Sequence, residues 1–222
     1  MQTWIDQYLQ LFETRIARCQ QEIWTAQHLR YIAYCEEKAY LDPAAYPARC
    51  ETDADDARSV HALLHFKPTG APIGSVRLIL PPGCFPVEQR SPFAIADLTE
   101  DDRDRVAEIS RLCMTWRYLP EIPESLAGSL VCDRRRIAGY AILGLFRGII
   151  ALSQECGVTY WCGMMSPAVL RGGRRLGVHF KERGAPVWCF GRKQPIAGSV
   201  DEVLDTMRQE RPELWALAAK PL

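Results

Sequence analysis

The chain has 222 residues, of which 48% are hydrophobic, so it can form one large globular domain or two small ones. Its 27 Lys and Arg balance its 27 Asp and Glu, which gives no overall charge to attract a nucleic acid or an anionic membrane. The longest apolar run, residues 137–152, is shorter than a bilayer span, and the N-terminus lacks the basic start of a signal peptide. We therefore expect a cytoplasmic protein with no nucleic-acid partner and no integral membrane segment.

The nine cysteines are scattered along the chain without a C-x-x-C pair, and the four histidines do not fall at ligand spacing near any of them. Zinc sites need clustered Cys and His ligands. The sequence therefore predicts no metal site. We expect most of the thiols to be small buried hydrophobes in a reducing compartment.

Apolar residues recur at the helical period over residues 4–23, which predicts a long amphipathic helix, and a second helix is predicted over about 27–40. Two apolar runs, 60–66 and 73–80, flank a segment whose Pro and Gly favour a turn, so we predict a β-hairpin. The next predicted strand covers residues 106–113.

The C-terminal half alternates helices and strands. A nearly all-apolar helix over about 136–155 is followed by a strand at 158–162, which predicts a β-α-β unit with two parallel neighbouring strands. Ser166-Pro167 begins a helix that runs to Arg175. Short strands are predicted near 178–180 and 187–190. Ser199 then opens a capping box for a C-terminal helix.

These elements divide the chain into an N-terminal amphipathic helix (1–25), a central domain (26–198) and C-terminal helices packed on that domain (199–222). Residues 118–133 form an irregular insertion between the strand at 106–113 and the apolar helix. Insertions of this length inside a compact domain tend to be functional or mobile.

Two predicted strands carry charges in their apolar middles: Arg77 in one, and Glu108 and Arg111 in the other. Period-2 alternation places Glu108 and Ser110 on one face and Arg111 on the opposite face. Burying an ionised group costs several kcal/mol unless it is paired. The charges therefore indicate a shared polar cleft, while a solvated edge strand or a structural ion pair between strands is the alternative.

The order of elements resembles the GCN5-related N-acetyltransferase (GNAT) fold, an α/β (α+β) mixed central sheet flanked by helices, here with an extra N-terminal helix. Residues 74–78, Gly-Ser-Val-Arg-Leu, followed by residues 108–111, Glu-Ile-Ser-Arg, resemble the two strand motifs of the acyl-homoserine-lactone synthases. Arg30 stands where that family has its N-terminal arginine, and Asp53 and Asp56 match its aspartate pair.

Tyr34 and Tyr40 replace the Phe and Trp of those synthases, a departure that points away from an S-adenosylmethionine acceptor and from lactone formation. The order and spacing of further motifs from Arg30 to Leu204 resemble the PEP-CTERM/exosortase-associated acyltransferases and their relatives, the N-acyl amino acid synthases. These motifs lie at residues 56–61, 144–146, 157–161, 176–180 and 191–195.

The resemblance implies an N-acyltransferase that moves a fatty acyl group from acyl carrier protein, or from acyl-CoA, to the amine of an amino acid or similar small acceptor. It implies no tightly bound cofactor. The alternatives are an acyl-CoA-dependent N-acetyltransferase and a non-catalytic acyl-binding module. A cysteine-nucleophile enzyme is a further alternative, but no Cys-His-Asn/Asp motif supports it.

Such a reaction requires a base for the amine and donors for an oxyanion. We expect Glu108 to be the general base, with Ser110 and Arg111 beside it in the catalytic group, and its pKa to be raised by burial or lowered by nearby arginines. The backbone N–H groups near Leu112 and Cys113 are the expected oxyanion donors.

The remaining substrate-binding residues are expected around that strand. Arg30 and Arg77 either grip the acceptor's carboxylate or pair with Asp53 and Asp56. Tyr34 is a further substrate contact. We expect Trp161, together with Trp116, Met164 and Met165, to line a tunnel for the acyl chain or to be plain core.

For the donor, residues 136–141 fit the R-x-x-G-x-A pattern of the fold, through Arg136 and Gly139, at a helix N-terminus that receives the cofactor's pyrophosphate. Arg134 and Arg135 precede it. Seven basic side chains between residues 171 and 193 would suit the acidic surface of acyl carrier protein: Arg171, Arg174, Arg175, Lys181, Arg183, Arg192 and Lys193.

Overall fold

A computed structural model describes residues 4–92, 94–118 and 134–222, without the side chains of residues 101 and 134–136. Apart from its first residue, the predicted insertion at 118–133 lies outside the described residues. The strands are β1 (Phe12–Ile16), β2 (Ser59–Phe66), β3 (Ala71–Ile79), β4 (Val106–Met114), β5 (Tyr160–Met165), β6 (Lys181–Glu182), β7 (Val187–Trp188) and β8 (Arg192–Ser199).

The helices surround these strands. They are α1 (Trp4–Leu11), α2 (Gln20–Tyr31), α3 (Pro86–Arg90), α4 (Glu100–Arg103), α5 (Arg134–Cys156), α6 (Pro167–Arg175), α7 (Val200–Glu210) and α8 (Pro212–Ala218). A π-helical segment, Ile32–Glu37, continues α2, and two short 3₁₀ helices cover Pro43–Ala45 and Ala54–Arg58.

The strands form one mixed sheet in the order β1-β2-β3-β4-β5-β8-β6, and β7 pairs with β8. The β2–β3 hairpin is confirmed, with its turn at Gly70 (φ +69°). The predicted β-α-β unit is also confirmed: β4 and β5 are parallel neighbours, connected through α5, while the other described pairs are antiparallel.

The strands β4 and β5 separate within the sheet. Their register runs from Val106 opposite Tyr160 to Ile109 opposite Gly163 and then stops, although β4 continues to Met114 and β5 to Met165. This divergence opens a gap in the sheet on the carboxyl side of Ile109.

Helix α5 lies across β1, β2 and β3 and supplies much of the core. Small residues on α5 allow the helix to pack closely against β2. A Cβ added to Gly148 would lie only 2.6 Å from the Cβ of Ala62, so glycine is needed at this contact. Among the described helices, residues Ile137–Cys156 are long and apolar enough to cross a membrane, but 67% of that window is buried inside the fold. Its apolar surface therefore packs against the sheet.

The prediction of one helix over residues 4–23 is wrong. Helix α1 ends at Leu11, and β1 pairs with β2 from Phe12 opposite Phe66 to Ile16 opposite Ala62. Phe12 and Thr14 are buried while their neighbours are more exposed, so this segment also satisfies a strand alternation. Helix α2 begins at Gln20 rather than near residue 27 because the chain leaves the sheet after Ile16.

Strand β8, between β5 and the short edge strand β6, is absent from the sequence-based prediction. Its sequence is polar at the start and contains Pro195 and Gly198, both of which disfavour a strand assignment. It nevertheless pairs with β5 on one side and β6 on the other. The strand predicted near 178–180 is displaced to Lys181–Glu182, and β5 begins two residues later than predicted.

The predicted starts of α6 and α7 are confirmed, because both depend on local chemistry. The Ser166 side chain accepts a hydrogen bond from the Val169 N–H at the start of α6, which has Pro167 at its first position. The Ser199 side chain accepts likewise from Glu202 at the start of α7.

Candidate active site

A cavity of about 470 Å³ occupies the gap between β4 and β5. Glu108 and the four residues after it line one side, and Met164 and Met165 of β5 line another. The turn between β7 and β8 contributes Phe190, and α3 and the loop at residues 53–55 complete the wall. The cavity therefore lies where the sheet's own hydrogen bonds are interrupted.

Glu108 lines this cavity although only 2% of the residue is exposed. Its Oε2 accepts a hydrogen bond from the backbone N–H of Val87 at 2.8 Å. Burial raises the pKa of Glu108 to about 7, against the opposing effects of the Val87 hydrogen bond and of Arg77. A carboxyl group poised near neutrality has the acidity expected of a general base at cellular pH.

Beside Glu108 is a buried network of three arginines and three carboxylates. Arg30 is fully buried, and its Nε lies 2.5 Å from Glu51 Oε2 while its two Nη atoms donate to Asp56 at 2.7 and 3.0 Å. Burial, the largest single effect, would raise the pKa of Asp56, but the hydrogen bonds and charge of Arg30, the Asp53 backbone N–H and Arg77 together outweigh it and hold that pKa well below its ordinary value.

Arg77 joins this network from β3. Its Nη1 donates to Asp53 at 2.6 Å and to Asp56 at 2.8 Å, and its Nε donates to the Ser110 hydroxyl at 2.9 Å. The sequence left two roles open for Arg30 and Arg77: binding the acceptor's carboxylate, or pairing with Asp53 and Asp56. The structure contains the second, because Arg77 contacts both aspartates and Arg30 contacts Asp56.

Arg111 completes the network, and the predicted alternation along β4 is wrong at this residue. Its φ of +49° and a register shift between Ser75 and Arg77 on β3 break the strand alternation. Arg111 therefore reaches Glu51 at 2.9 Å and Asp53 at 2.8 Å, in the same network that Ser110 contacts through Arg77. With three guanidinium groups facing three carboxylates, the network is close to electrically neutral.

His61 is a buried neighbour of this network that the sequence analysis missed. It lies opposite Arg77 in the hairpin, with its Nε2 3.8 Å from Asp56 Oδ1. Burial, followed by the charge of Arg30, lowers the pKa of His61 to about 4. The imidazole is therefore neutral at pH 7. The predicted hairpin, which places the strand of His61 beside the strand of Arg77, is the sequence signal that could have found it.

An aromatic wall of Tyr34, Tyr40 and Phe190 stands at one end of the cavity. The three rings lie 6.3–6.5 Å apart in nearly parallel planes, and Tyr34 and Phe190 line the cavity. The Arg111 guanidinium lies 5.9 Å from the Tyr34 ring and 5.7 Å from the Phe190 ring. Phe190 was not predicted as a site residue, because it comes from a hairpin that follows β5 by more than twenty residues.

Leu112 lines the cavity, and its carbonyl lies 3.5 Å from the Tyr34 hydroxyl. Within the described registers, neither β3 nor β5 pairs with Arg111 or Leu112. Cys113 is instead opposite Ser75, and burial raises the pKa of its thiol, which lies 3.4 Å from the Ser75 hydroxyl.

Trp161 lies in the core rather than at the cavity. It is fully buried, its Nε1 donates to the Ser153 hydroxyl at 2.8 Å, and its ring contacts Phe146 and Phe180. Met164 and Met165, from the same predicted set, do line the cavity.

An apolar recess adjoins the cavity and shares Leu112, Met165 and Val169 with it. Ile142 and Phe146 of α5 form part of its inner wall. Its free volume is only about 20 Å³, so side chains nearly fill it. A hydrocarbon chain could enter only by displacing those side chains.

The residues predicted to bind the donor lie near the start of α5. Gly139 is on this helix, and a Cβ added there would meet nothing within 4 Å. The side chains of Arg134, Arg135 and Arg136 lie outside the described residues. Among the described residues, no group of three or more His, Cys, Asp or Glu side chains is arranged to hold a metal ion.

The basic segment 171–193 is partly neutralised. Arg174 pairs with Glu182 at 2.8 Å, Lys181 pairs with Glu202 at 2.9 Å, and Arg183 pairs with Asp97. The other four of the seven have no carboxylate within 4 Å in the described part of the chain: Arg171, Arg175, Arg192 and Lys193.

Residues 29–120 match the family model of the acetyltransferase (GNAT) domain. A search of the curated proteins found no match. Solved structures with a similar fold include TofI in a ternary complex with an inhibitor and MTA, at TM-score 0.64 and 20% identity over 91% of this chain and 99% of that chain.

Two further structures with a similar fold are synthases. FeeM, an N-acyl amino acid synthase from uncultured soil microbes, has TM-score 0.59 and 16% identity over 88% of this chain and 93% of that one. BjaI, a CoA-dependent acyl-homoserine lactone synthase with SAM and isopentyl-CoA, has TM-score 0.58 and 15% identity over 88% and 90%. The expected GNAT-type mixed sheet is confirmed. The domain match at residues 29–120 indicates an acyltransferase.

Proposed function

We propose that this protein is an N-acyltransferase that moves a fatty acyl group from acyl carrier protein to the amine of an amino acid or a similar small acceptor. The observation that carries the proposal is Glu108, a buried carboxyl group with a pKa of about 7 at the wall of the cavity between β4 and β5. A purely structural ion pair would give Glu108 an arginine partner. Among the described residues, all three network arginines instead bind Glu51, Asp53 or Asp56.

In the proposed reaction the acceptor enters as an ammonium group and loses a proton to Glu108, directly or through one water molecule. The amine nitrogen then attacks the thioester carbonyl carbon, and the resulting oxyanion collapses to an amide as the C–S bond breaks. After the attack the nitrogen loses its second proton, which the leaving thiolate takes up. Glu108 releases the first proton to solvent.

Backbone N–H groups of Arg111 or Leu112 are the proposed oxyanion donors. They are supported by the interruption of pairing on both sides of β4 at these two residues. The buried network has a positioning role in this proposal, because Arg77 holds Ser110 and Arg111 anchors the bulged strand to Glu51 and Asp53.

The acyl chain is proposed to enter the apolar recess beside Leu112, Met165 and Val169. The continuity of the recess with the cavity supports this placement, since the thioester would then lie near Glu108 while its hydrocarbon tail avoids water. The arginines at the start of α5 and Gly139 are proposed to bind the donor's phosphate groups.

Acyl carrier protein as the donor is supported by three exposed basic side chains of segment 171–193 that lack a carboxylate partner among the described residues: Arg171, Arg175 and Arg192. Acyl-CoA is the second candidate donor, which the similarity to BjaI, a CoA-dependent synthase, favours. The same proposal includes membership of the PEP-CTERM/exosortase-associated group, which the motif order along residues 56–195 supports. It also includes a cytoplasmic location.

The test is mass spectrometry of lipids extracted from cells that overproduce the protein or its Glu108→Gln variant. We expect a new N-acyl amine with the wild-type protein and none with the variant. Gln89→Glu, which changes an exposed residue at the same cavity, is the matched control for altered surface charge. Equal product from wild type and Glu108→Gln would refute the assigned base, and no acylated amine from any protein would refute the function.

A further inference from the structure

Two cations that line the cavity, Arg90 and Lys193, have no carboxylate within 4 Å in the described part of the chain. Arg90 is exposed on α3 and is hydrated by solvent, whereas Lys193 is half-buried. Burying an ammonium group without a counter-ion is costly. Lys193 therefore has an unmet requirement for an anion that Arg90 does not share.

The fold places Lys193 at the cavity. The pairing of β8 with β5 ends with Gln194 opposite Met165, so Lys193 lies just beyond the end of β5, where the cavity opens. On its other side it is opposite Val187 in the β7–β8 hairpin. This hairpin also presents Phe190 to the cavity.

The surroundings of Lys193 are positive. Its pKa is lowered first by burial and then by the charge of Lys38; Cys189 opposes this effect, and Arg111 lowers the pKa further by a smaller amount. Lys38 lies over the Tyr34 and Tyr40 rings at 5.6 and 5.8 Å. An anion bound here would relieve the repulsion among these cations.

The same end of the cavity carries the aromatic wall. Tyr34 and Phe190 have their ring planes 15° apart and line the cavity beside Lys193. A ligand that satisfies both features has an anionic group for the lysine and a flat apolar group for the rings.

We infer that Lys193 binds the carboxylate of an aromatic amino acid acceptor while Tyr34 and Phe190 contact its ring. The inference rests on the proposed function and narrows its substrate class. Lys193 is then a specificity residue for the acceptor, in place of Arg30 and Arg77, whose guanidinium groups are already occupied by carboxylates.

The experiment compares L-phenylalanine with phenethylamine, which differ only by the carboxylate, in steady-state assays with dodecanoyl-acyl carrier protein and dodecanoyl-CoA. For the wild type we expect a lower KM for L-phenylalanine. In Lys193→Met the KM for L-phenylalanine should rise roughly 10- to 100-fold with kcat little changed, because one charged hydrogen bond is lost. The values for phenethylamine should stay as in the wild type, and Lys193→Arg should restore part of the preference.

The control is Lys220→Met, which removes an exposed lysine that lines a separate groove. A second readout needs no turnover: L-phenylalanine should protect Lys193 from reductive methylation, followed by peptide mass spectrometry, and phenethylamine should not. This readout also serves if Lys193→Met folds poorly.

Three outcomes overturn the inference. If the wild type acylated both amines equally well, the proposed function would stand but the carboxylate site would be refuted. A rise in the donor KM of Lys193→Met, with the acceptor KM unchanged, would assign Lys193 to the donor's phosphate. Failure of the wild type to acylate any primary amine would remove the proposed function and this inference with it.

Discussion

Val87 and Glu108 are joined across the cavity wall by a hydrogen bond of 2.8 Å from the backbone N–H of one to the carboxylate of the other. This bond favours the ionised carboxylate, whereas burial favours the protonated one, and burial is the larger effect. The balance at a pKa of about 7 leaves Glu108 roughly half ionised at neutral pH. Both its reactivity and its effect on stability should therefore depend on pH.

The rate of acyl transfer should rise with pH through about 7, because only ionised Glu108 accepts a proton. Between pH 6 and pH 8 the ionised fraction increases about tenfold, and kcat/KM should follow it. The measurement is a pH profile of kcat/KM with acceptor below saturation. A profile that is flat from pH 6 to pH 8 would contradict the role of Glu108 as base. Glu108→Gln should lose about 10²- to 10⁴-fold in rate together with this pH-dependent limb.

The Glu108→Gln variant should be more stable than wild type at pH 8 and similar to it at pH 5. The folded-state pKa of Glu108 lies above its unfolded value, so the folded state binds an extra proton between about pH 4.5 and 7, and wild-type stability falls as pH rises through this window. The full shift corresponds to a loss on the order of 3 kcal/mol, which the neutral amide avoids. Urea denaturation at pH 5 and pH 8 measures the free energy of unfolding of both proteins. If the variant and wild type differed by the same amount at both pH values, the raised pKa would be contradicted.

Arg30→Met should destabilise the protein by about 3–5 kcal/mol, because Glu51 and Asp56 would be left as buried carboxylates without one of their partners. The control, Arg18→Met, breaks the exposed pair with Glu155 and should leave stability almost unchanged, because water screens that pair. The free energies of unfolding from urea denaturation give the comparison. Similar small losses in both variants would mean that the buried network does not hold the fold together.

The same network should make the wild type sensitive to acid. The pKa of Asp56 is held below its ordinary value, so its contribution to stability is present above about pH 4 and is lost as pH falls below that value. Thermal denaturation between pH 5 and pH 3 follows this loss, which should be smaller in Asp56→Asn than in wild type. An equally steep decline in both proteins would place the acid sensitivity elsewhere.

Gly148→Ala and Gly139→Ala, both on α5, should change stability in opposite directions. Alanine favours a helix by about 1 kcal/mol over glycine. At Gly148, however, the new Cβ would lie 2.6 Å from the Ala62 Cβ, so the helix and β2 must separate at a cost of about 1–3 kcal/mol. At Gly139 nothing lies within 4 Å, and the variant should gain stability. Melting temperatures that move together would contradict the close contact of α5 with the sheet.

Changes in the apolar recess should alter which acyl chains are accepted. Val169→Phe fills the boundary between cavity and recess and should shift the preferred donor toward shorter chains. Ile142→Ala removes side-chain volume from the inner wall and enlarges the recess, so the enzyme should accept longer acyl chains. Competition among acyl donors of several lengths, with product analysis by mass spectrometry, measures both shifts. Unchanged chain-length profiles would show that the acyl chain binds elsewhere.

Local chemistry accounts for what the sequence predicts correctly. The β2–β3 hairpin follows from two apolar runs around a Pro- and Gly-containing turn, and the starts of α6 and α7 follow from Ser166 and Ser199. Glu108, Arg77 and Arg111 stand out because charges within apolar strands require an explanation. Strand β1 could not be recognised, because residues 12–16 fit a helical period and a strand alternation equally well, and only pairing with β2 decides between them.

The residues that complete the cavity depended on the whole chain. Sequence periodicity placed Arg111 and Ser110 on opposite faces, but the positive φ of Arg111 and the shifted register with β3 bring both to one network. Strand β8 could not be recognised because Pro195 and Gly198 disfavour a strand. The positions of Lys193 and Phe190 at the cavity could therefore not be predicted either.

The sequence by itself determined the mixed α/β character, the hairpin, the parallel β4–β5 pair and the residue types of the site, since these depend on periodicity, turn chemistry and the cost of burying charge. Only the tertiary structure decided which charges neutralise one another and which stay open to a ligand. Ion pairing depends on distances between residues far apart in the chain. Arg30 pairs with Glu51 and Asp56, Arg77 pairs with Asp53, and Lys193 lines the cavity without a carboxylate partner among the described residues.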